Sequence, residues 1–220
     1  NNPMIIGGAF QLSPPGIAGI DTYDWRFMDL KFENSGAAAA CGLNNAFCTS
    51  GEVRDILFLR LYVRRYNRAL YFGAGTLTAG IDQPHEGLAV VDSQLEDIYG
   101  GGGQNIMQGV FRKLALMGTL LRNTTEAEHV TRFLYLNKSV ISNNVFRETD
   151  TGRHLIKLHA PNWAGETIHP AGTHSEQIII SENHFHGWLE DYPVAIGPHT
   201  DGFDQRVRDV IFESNWGNLS

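Results

Sequence analysis

The chain has 220 residues, 42% of them hydrophobic and 19% charged, with a formal net charge of -7. That balance supports a folded core and excludes disorder and coiled coil, and with no composition shift along it, residues 1–220 read as a single domain. The acidic balance excludes a nucleic-acid partner, since affinity for phosphate backbones comes from clustered Lys and Arg, and no apolar stretch reaches the roughly 20 residues of a membrane span.

In chain order, short apolar runs recur at 27–32, 56–63, 88–95, 114–121, 140–146, 178–185 and 210–216. Between them, after a polar turn, comes a second set at 69–73, 105–109, 128–133, 153–159 and 193–197. β-branched and aromatic residues dominate these runs and none is long enough for an ordinary helix, so all are predicted strands. Two-residue hairpin turns are nearly absent between them, which favours a parallel stack. Setting Leu70, Ile106, Val130, Leu155 and Val194 in one column leaves gaps of 36, 24, 25 and 39 residues, so strands keep register while loops absorb the variation. A unit that cannot bury its own apolar face must stack on its neighbours, which predicts a solenoid of roughly seven coils.

Asn recurs at the ends of several runs, at Asn34, Asn143 or Asn144, Asn183 and Asn215. One strand spacing apart, about 4.8 Å, such residues can share amide hydrogen bonds as an asparagine ladder; the alternative is ordinary turn chemistry. In the loop 37–52, Cys41 and Cys48 are close enough for a small disulfide ring, with two free thiols as the alternative; no further Cys or nearby His suggests zinc. A disulfide would put the protein in an extracellular or periplasmic compartment.

The repeat length and the corners VISNNVF (140–146) and IIISENHF (178–185) resemble the pectate-lyase-like superfamily from about Trp25 to Trp216. The resemblance implies an all-β fold, a right-handed parallel β-helix, and a carbohydrate-active protein, without assigning a lyase family. Neither end of the chain resembles a capping element, so the ends read as incomplete, continued by missing coils or covered by other subunits.

The densest ionisable cluster is EHVTRF followed one coil later by GRHLIKLHAPNW. The column places Arg132 over Lys157 and His129 over His154; alternation puts Arg153, Leu155, Lys157 and His159 on one face and turns His154 inward. Stacked like charges repel unless an anion lies between them or a carboxylate such as Glu128 or Glu148 pairs with them. These two possibilities, an anionic ligand and a salt-bridged surface ladder, are both open. The functional version is β-elimination on a uronate-containing polysaccharide, which needs a cation on the C6 carboxylate, a base for the C5 proton and an acid for O4. Arg132 or Arg153 would neutralise, Lys157 would be the base and His159 the acid. Glu128, His129 and His154 would help to bind substrate, and Trp163, among several aromatic candidates, would stack on a sugar.

Hydrolysis would require paired carboxylates. Neither Asp92, Glu96 and Asp97 nor Asp191, Asp201 and Asp204 shows such spacing on one strand face, so they read as solvated turn residues, with Ca²⁺ at Asp92 and Glu96 as an alternative. His184 and His186 share a strand face but lack an evident third ligand, so no metal or other cofactor is expected. Trp25 and Trp216 read as packing residues. Two functions follow. One is a polysaccharide lyase acting on an acidic polysaccharide; the other is a non-catalytic glycan-binding or structural repeat protein such as a tailspike, adhesin or filament segment.

Overall fold

A computed structural model describes residues 4–6, 10–12, 22–34, 45–49, 53–72, 84–98, 105–124, 129–147, 154–159, 174–187, 192–197 and 207–218. Among them it contains strands and no helix, and the strands pair in parallel along three ladders. The first ladder stacks β1 (Met4–Ile6), β4 (Lys31–Glu33), β7 (Tyr62–Arg64), β10 (Gln94–Ile98), β13 (Leu120–Thr124), β15 (Val145–Arg147), β18 (His184–His186) and β21 (Trp216–Asn218). The second stacks β3 (Thr22–Met28), β6 (Val53–Leu59), β9 (His85–Val91), β12 (Ala115–Met117), the later half of β14 (Thr131–Ser142), β17 (Ser175–Ser181) and β20 (Val207–Glu213). The third stacks β2 (Phe10–Gln11), β5 (Asn45–Thr49), β8 (Arg68–Phe72), β11 (Met107–Arg112), the first half of β14, β16 (Ile156–His159) and β19 (Val194–Gly197). The chain visits the ladders in a fixed order, so each pass adds one rung to all three.

Each rung sends apolar side chains inward. In the first ladder Phe32, Val63, Leu95, Leu121, Phe146 and Phe185 occupy one buried column, and in the second Phe27, Phe58, Val90, Leu116, Ile141 and Ile180 occupy another. All belong to one continuous core. Phe47 of the third ladder meets Phe58 edge-on with ring centroids 4.8 Å apart, the geometry that aromatic quadrupoles prefer. Burial of one such side chain stabilises by about 1.5–3 kcal/mol, and the stack repeats it rung after rung.

The turn between the second and first ladders is the same on every rung. Asp29, Arg60, Asp92, Gly118, Asn143, Glu182 and Ser214 all have φ between 47° and 62°. Left-handed backbone costs an L-residue roughly 1–2 kcal/mol, and it persists here because the strands on both sides determine the turn. Gly118 has a second requirement, since a Cβ there would lie 2.3 Å from Asp92 Oδ1. The next residue on each rung forms the polar ladder. Asn144 Nδ2 donates to Asn183 Oδ1 at 2.9 Å and Asn183 Nδ2 donates to Asn215 Oδ1 at 2.9 Å. Thr119 and Ser93 continue the column, with Ser93 N donating to Thr119 Oγ1 at 3.3 Å and Leu61 N to Ser93 Oγ at 3.1 Å. Asn34 is not a member: it follows β4, and its backbone N donates to Arg64 O. The corner position on its rung is Leu30.

The third-ladder register corrects the sequence alignment by one residue at two places. Leu70 pairs with Met107, and Val194 with Ile156, rather than with Ile106 and Leu155. Where the chain enters this ladder, two consecutive residues are buried, as at Leu155 and Ile156, so alternation does not extend back into the turn. Trp25 and Trp216 are 51% and 58% exposed, not packed as the sequence suggests; among the described residues β3 and β21 each pair on one side only.

Candidate functional site

Carboxylates stand between most of the outward-facing cations along two ladders. On the first, Glu33, Arg64, Glu96 and Arg122 are in register, and Arg147 follows Arg122 as a second cation two rungs from Glu96. Arg64 Nη2 lies 2.7 Å from Glu33 Oε1 and Arg122 Nε 2.5 Å from Glu96 Oε2. Glu96 also accepts from the Tyr62 hydroxyl and from Gln94 Nε2. Burial opposes its charge, but these donors outweigh that and hold the carboxyl below its ordinary range. On the second ladder Arg54, Glu86, Arg112, Asn137, Glu176 and Arg208 are in register, with Lys113 on Glu86 and Arg208 on Glu176 at 2.5 Å each.

The third ladder breaks this pattern. Its outward column is Cys48, Tyr71, Gln108, Arg132, Lys157 and Ala195, which places two cations in direct succession and contains no carboxylate. Arg132 and Lys157 pair in register because the two segments carry the same two-residue offset from their entry turns. Unit charges about 5 Å apart near a protein surface interact by roughly 3 kcal/mol, so the repulsion is substantial. Burial, and after it the Arg132 charge, holds the Lys157 ammonium below its ordinary pKa. Lys157 has no ion pair among the described residues.

His159 joins this pair in an unexpected manner. It is buried rather than presented outward beside Lys157, and its Nε2 accepts a hydrogen bond of 3.3 Å from Arg132 Nε. The ring therefore orients the guanidinium. Leu155, expected on the same outward face, is buried in the core, again because the entry turn precedes the alternating part of the strand.

His129 and His154 do share a column, but His154 does not point into the core. Its ring stacks on His129 at 5.0 Å and 12° and on Tyr192 at 5.1 Å and 9°, and its Nδ1 is 3.0 Å from Tyr192 O. Rings on three successive rungs thus form a stack beside the cationic column. Upward from His129, whose backbone N donates to Asn105 Oδ1 at 3.3 Å, the column continues through Asn105, Arg68 and Asn45. Arg68 was not singled out in the sequence; it lies in a polar run, RRYNR, that reads as a solvated turn, whereas here its side chain is 93% buried at the start of β8 and its guanidinium sits 4.3 Å from the Tyr71 ring centre.

Glu128, Arg153, Trp163 and Cys41 lie outside the described residues, as do Glu148, Asp191, Asp201 and Asp204. Cys48 is buried and disulfide-bonded. Glu96 accepts from the three donors named above. His184 and His186 both face outward with Phe185 buried between them, and His184 meets Trp216 on the next strand. Among the described residues no group of three or more His, Cys, Asp or Glu side chains could hold a metal ion, and no helix is long and apolar enough to cross a membrane. No protein-family model, curated protein or solved structure matches this chain.

Proposed function

We propose that the three parallel ladders form a right-handed parallel β-helix of the pectate-lyase-like kind, located outside the cytoplasm. On this reading it binds an extended acidic polysaccharide along the third ladder and cleaves it by β-elimination. The observation that carries the reading is the succession of Arg132 and Lys157 in a column without a carboxylate, whereas the Arg122–Arg147 step of the first ladder has Glu96 paired with Arg122. Right-handedness follows the general preference of parallel crossovers.

Arg132, held by His159, pairs with the C6 carboxylate of a uronate and makes the C5 proton more acidic. The Lys157 amine, its pKa lowered by burial and by Arg132, takes that proton. The C5–H electron pair becomes the C4–C5 double bond, the bond from C4 to O4 breaks with its pair on O4, and O4 takes a proton from water. In this arrangement His159 is a positioning residue rather than the acid, because its Nε2 is occupied by Arg132. The stack of His129, His154 and Tyr192 borders the groove as a sugar-binding wall.

The burial of His159 leaves no described side chain in place to protonate O4, and this favours a second reading, a groove that binds glycan without cleaving it. Incubation with a panel of uronate polysaccharides, followed by the ultraviolet absorbance of the unsaturated product, separates the two. The lyase reading expects product from the wild type and at least a hundredfold less from Lys157→Ala, as removal of a general base typically costs 10²–10⁴-fold. Undiminished product from Lys157→Ala refutes it, and binding without product assigns the chain to the second reading.

A further inference from the structure

We propose that Arg68 and Asn45 form a binding site for an oxyanion, a carboxylate or sulfate group, at the far end of the column that carries His129 and His154. The two residues are register partners on β8 and β5. Arg68 is 7% exposed and Asn45 is 0% exposed. Nε and Nη1 of Arg68, and both amide atoms of Asn45, are buried without a hydrogen-bond partner.

Such a pair is costly in an empty state. A guanidinium cannot shed its charge at accessible pH, and a buried charge needs a counter-charge or a full set of hydrogen bonds. Arg68 has neither. Its guanidinium lies over the face of Tyr71, and Arg132, of the same sign, acts against its charge. Burial and Arg132 together disfavour its cationic form, with Tyr71 opposing. On the other two ladders Glu33, Glu86, Glu96 and Glu176 each meet an Arg or Lys from a neighbouring rung.

The free donors specify the ligand class. Nε–H and Nη1–H lie on different edges of the guanidinium, each edge completed by Nη2, and either edge matches the two oxygens of a carboxylate or two of a sulfate; Asn45 Nδ2 adds a donor from the neighbouring rung. Asn45 Oδ1 is left to accept, which suits a hydroxyl next to the acidic group, as on an acidic sugar. The identity of the chain that delivers the group rests on the polysaccharide reading; the oxyanion site itself does not.

The test compares wild type, Arg68→Met, Arg68→Lys and Lys157→Ala in chloride buffer, with inorganic sulfate at low millimolar concentration and with oligogalacturonate, by thermal melting and calorimetric titration. Because sulfate stabilises folded proteins in general, the readout is the difference between variants. Sulfate is expected to raise the melting temperature of wild type and Lys157→Ala more than that of Arg68→Met, with Arg68→Lys, which keeps the charge but not the fork, between them. Arg68→Met is expected to melt no lower than wild type without anion, since it replaces an unpaired buried charge with an apolar chain of similar length. Oligogalacturonate affinity is expected to fall at least tenfold in Arg68→Met. Equal sulfate responses in wild type and Arg68→Met overturn the site, and so does a loss of stability in Arg68→Met that sulfate does not affect. A sulfate response specific to Arg68 with no oligogalacturonate binding keeps the oxyanion site and removes the polysaccharide reading. Should Arg68→Met fail to fold, the site is judged on Arg68→Lys, and a full wild-type sulfate response in that variant overturns it.

Discussion

Replacing Asn183 tests whether the polar ladder at the corner holds the rungs together. Its side chain is fully buried and makes four hydrogen bonds. Oδ1 accepts from the backbone N and from Nδ2 of Asn144, at 3.1 and 2.9 Å, and Nδ2 donates to Ile141 O at 2.8 Å and Asn215 Oδ1 at 2.9 Å. Asn183→Ala leaves the Asn144 backbone N–H without an acceptor, a loss of roughly 1–3 kcal/mol, and removes the other bonds at a net of about 0.5–1.5 kcal/mol each. Asn144 Nδ2 keeps Leu116 O and Asn215 Oδ1 keeps the Asn183 backbone N, which limits the total to about 3 kcal/mol. The column contains its own control. Thr119 fills the same position one rung before Asn144, where its Oγ1 accepts from Ser93 N and donates to Met117 O at 3.1 Å. Asn183→Thr should therefore retain an acceptor for Asn144 N and cost only about 1 kcal/mol. Urea unfolding with unchanged slope measures both values. A loss under 1 kcal/mol in Asn183→Ala, or equal losses in the two variants, refutes the ladder as a stabilising element.

Two further variants probe buried titratable groups. Burial pushes His85, whose Nδ1 accepts from Val53 N at 3.2 Å, down to a pKa of about 4 from an ordinary 6.5. Its neutral form is the folded one, so its contribution is fully present above pH 6.5 and is lost as pH falls from 6.5 to 4, when the unfolded chain binds the proton first; the loss totals about 3 kcal/mol. His85→Gln should flatten the stability curve across that window, and parallel curves for variant and wild type would exclude the effect. For Glu96, whose folded carboxyl titrates below its ordinary range, stability is present above that range and lost as pH falls through the folded value. Glu96→Gln should cost about 2 kcal/mol at pH 7 through its lost charge-assisted bonds, and the difference should narrow at acid pH as the wild-type carboxylate is protonated. Equal urea midpoints at pH 7 would show that the carboxylate contributes nothing.

The strands and their parallel stacking are legible in the amino-acid order because the apolar runs are local and strand spacing is uniform. Arg132 over Lys157 is legible for a similar reason: equal offsets from two like turns survive any error in the turn itself, so a misplacement of one residue elsewhere in the column does not disturb this pair. The Asn corner is likewise visible in SNN, SEN and ESN, while its continuation through Thr119 and Ser93 is hidden because the same role is filled by hydroxyls. Alternation misassigned His154 and Leu155, since it describes an extended strand and the entry turn is not one; His159, at the far end of β16, is buried although it shares a strand face with Lys157. Which charge meets which partner was also beyond alternation. Arg122 finds Glu96, 26 residues earlier, and Arg68 faces Asn45 and Arg132 rather than a carboxylate, because side-chain neighbours across rungs depend on register summed over every loop between them. An all-β chain of repeating strands with Arg132 over Lys157 follows from the order of residues alone; that Glu33, Glu86, Glu96 and Glu176 each meet a cation while the Arg132–Lys157 column holds no carboxylate follows from the folded arrangement, since only stacking brings distant residues within Coulombic reach.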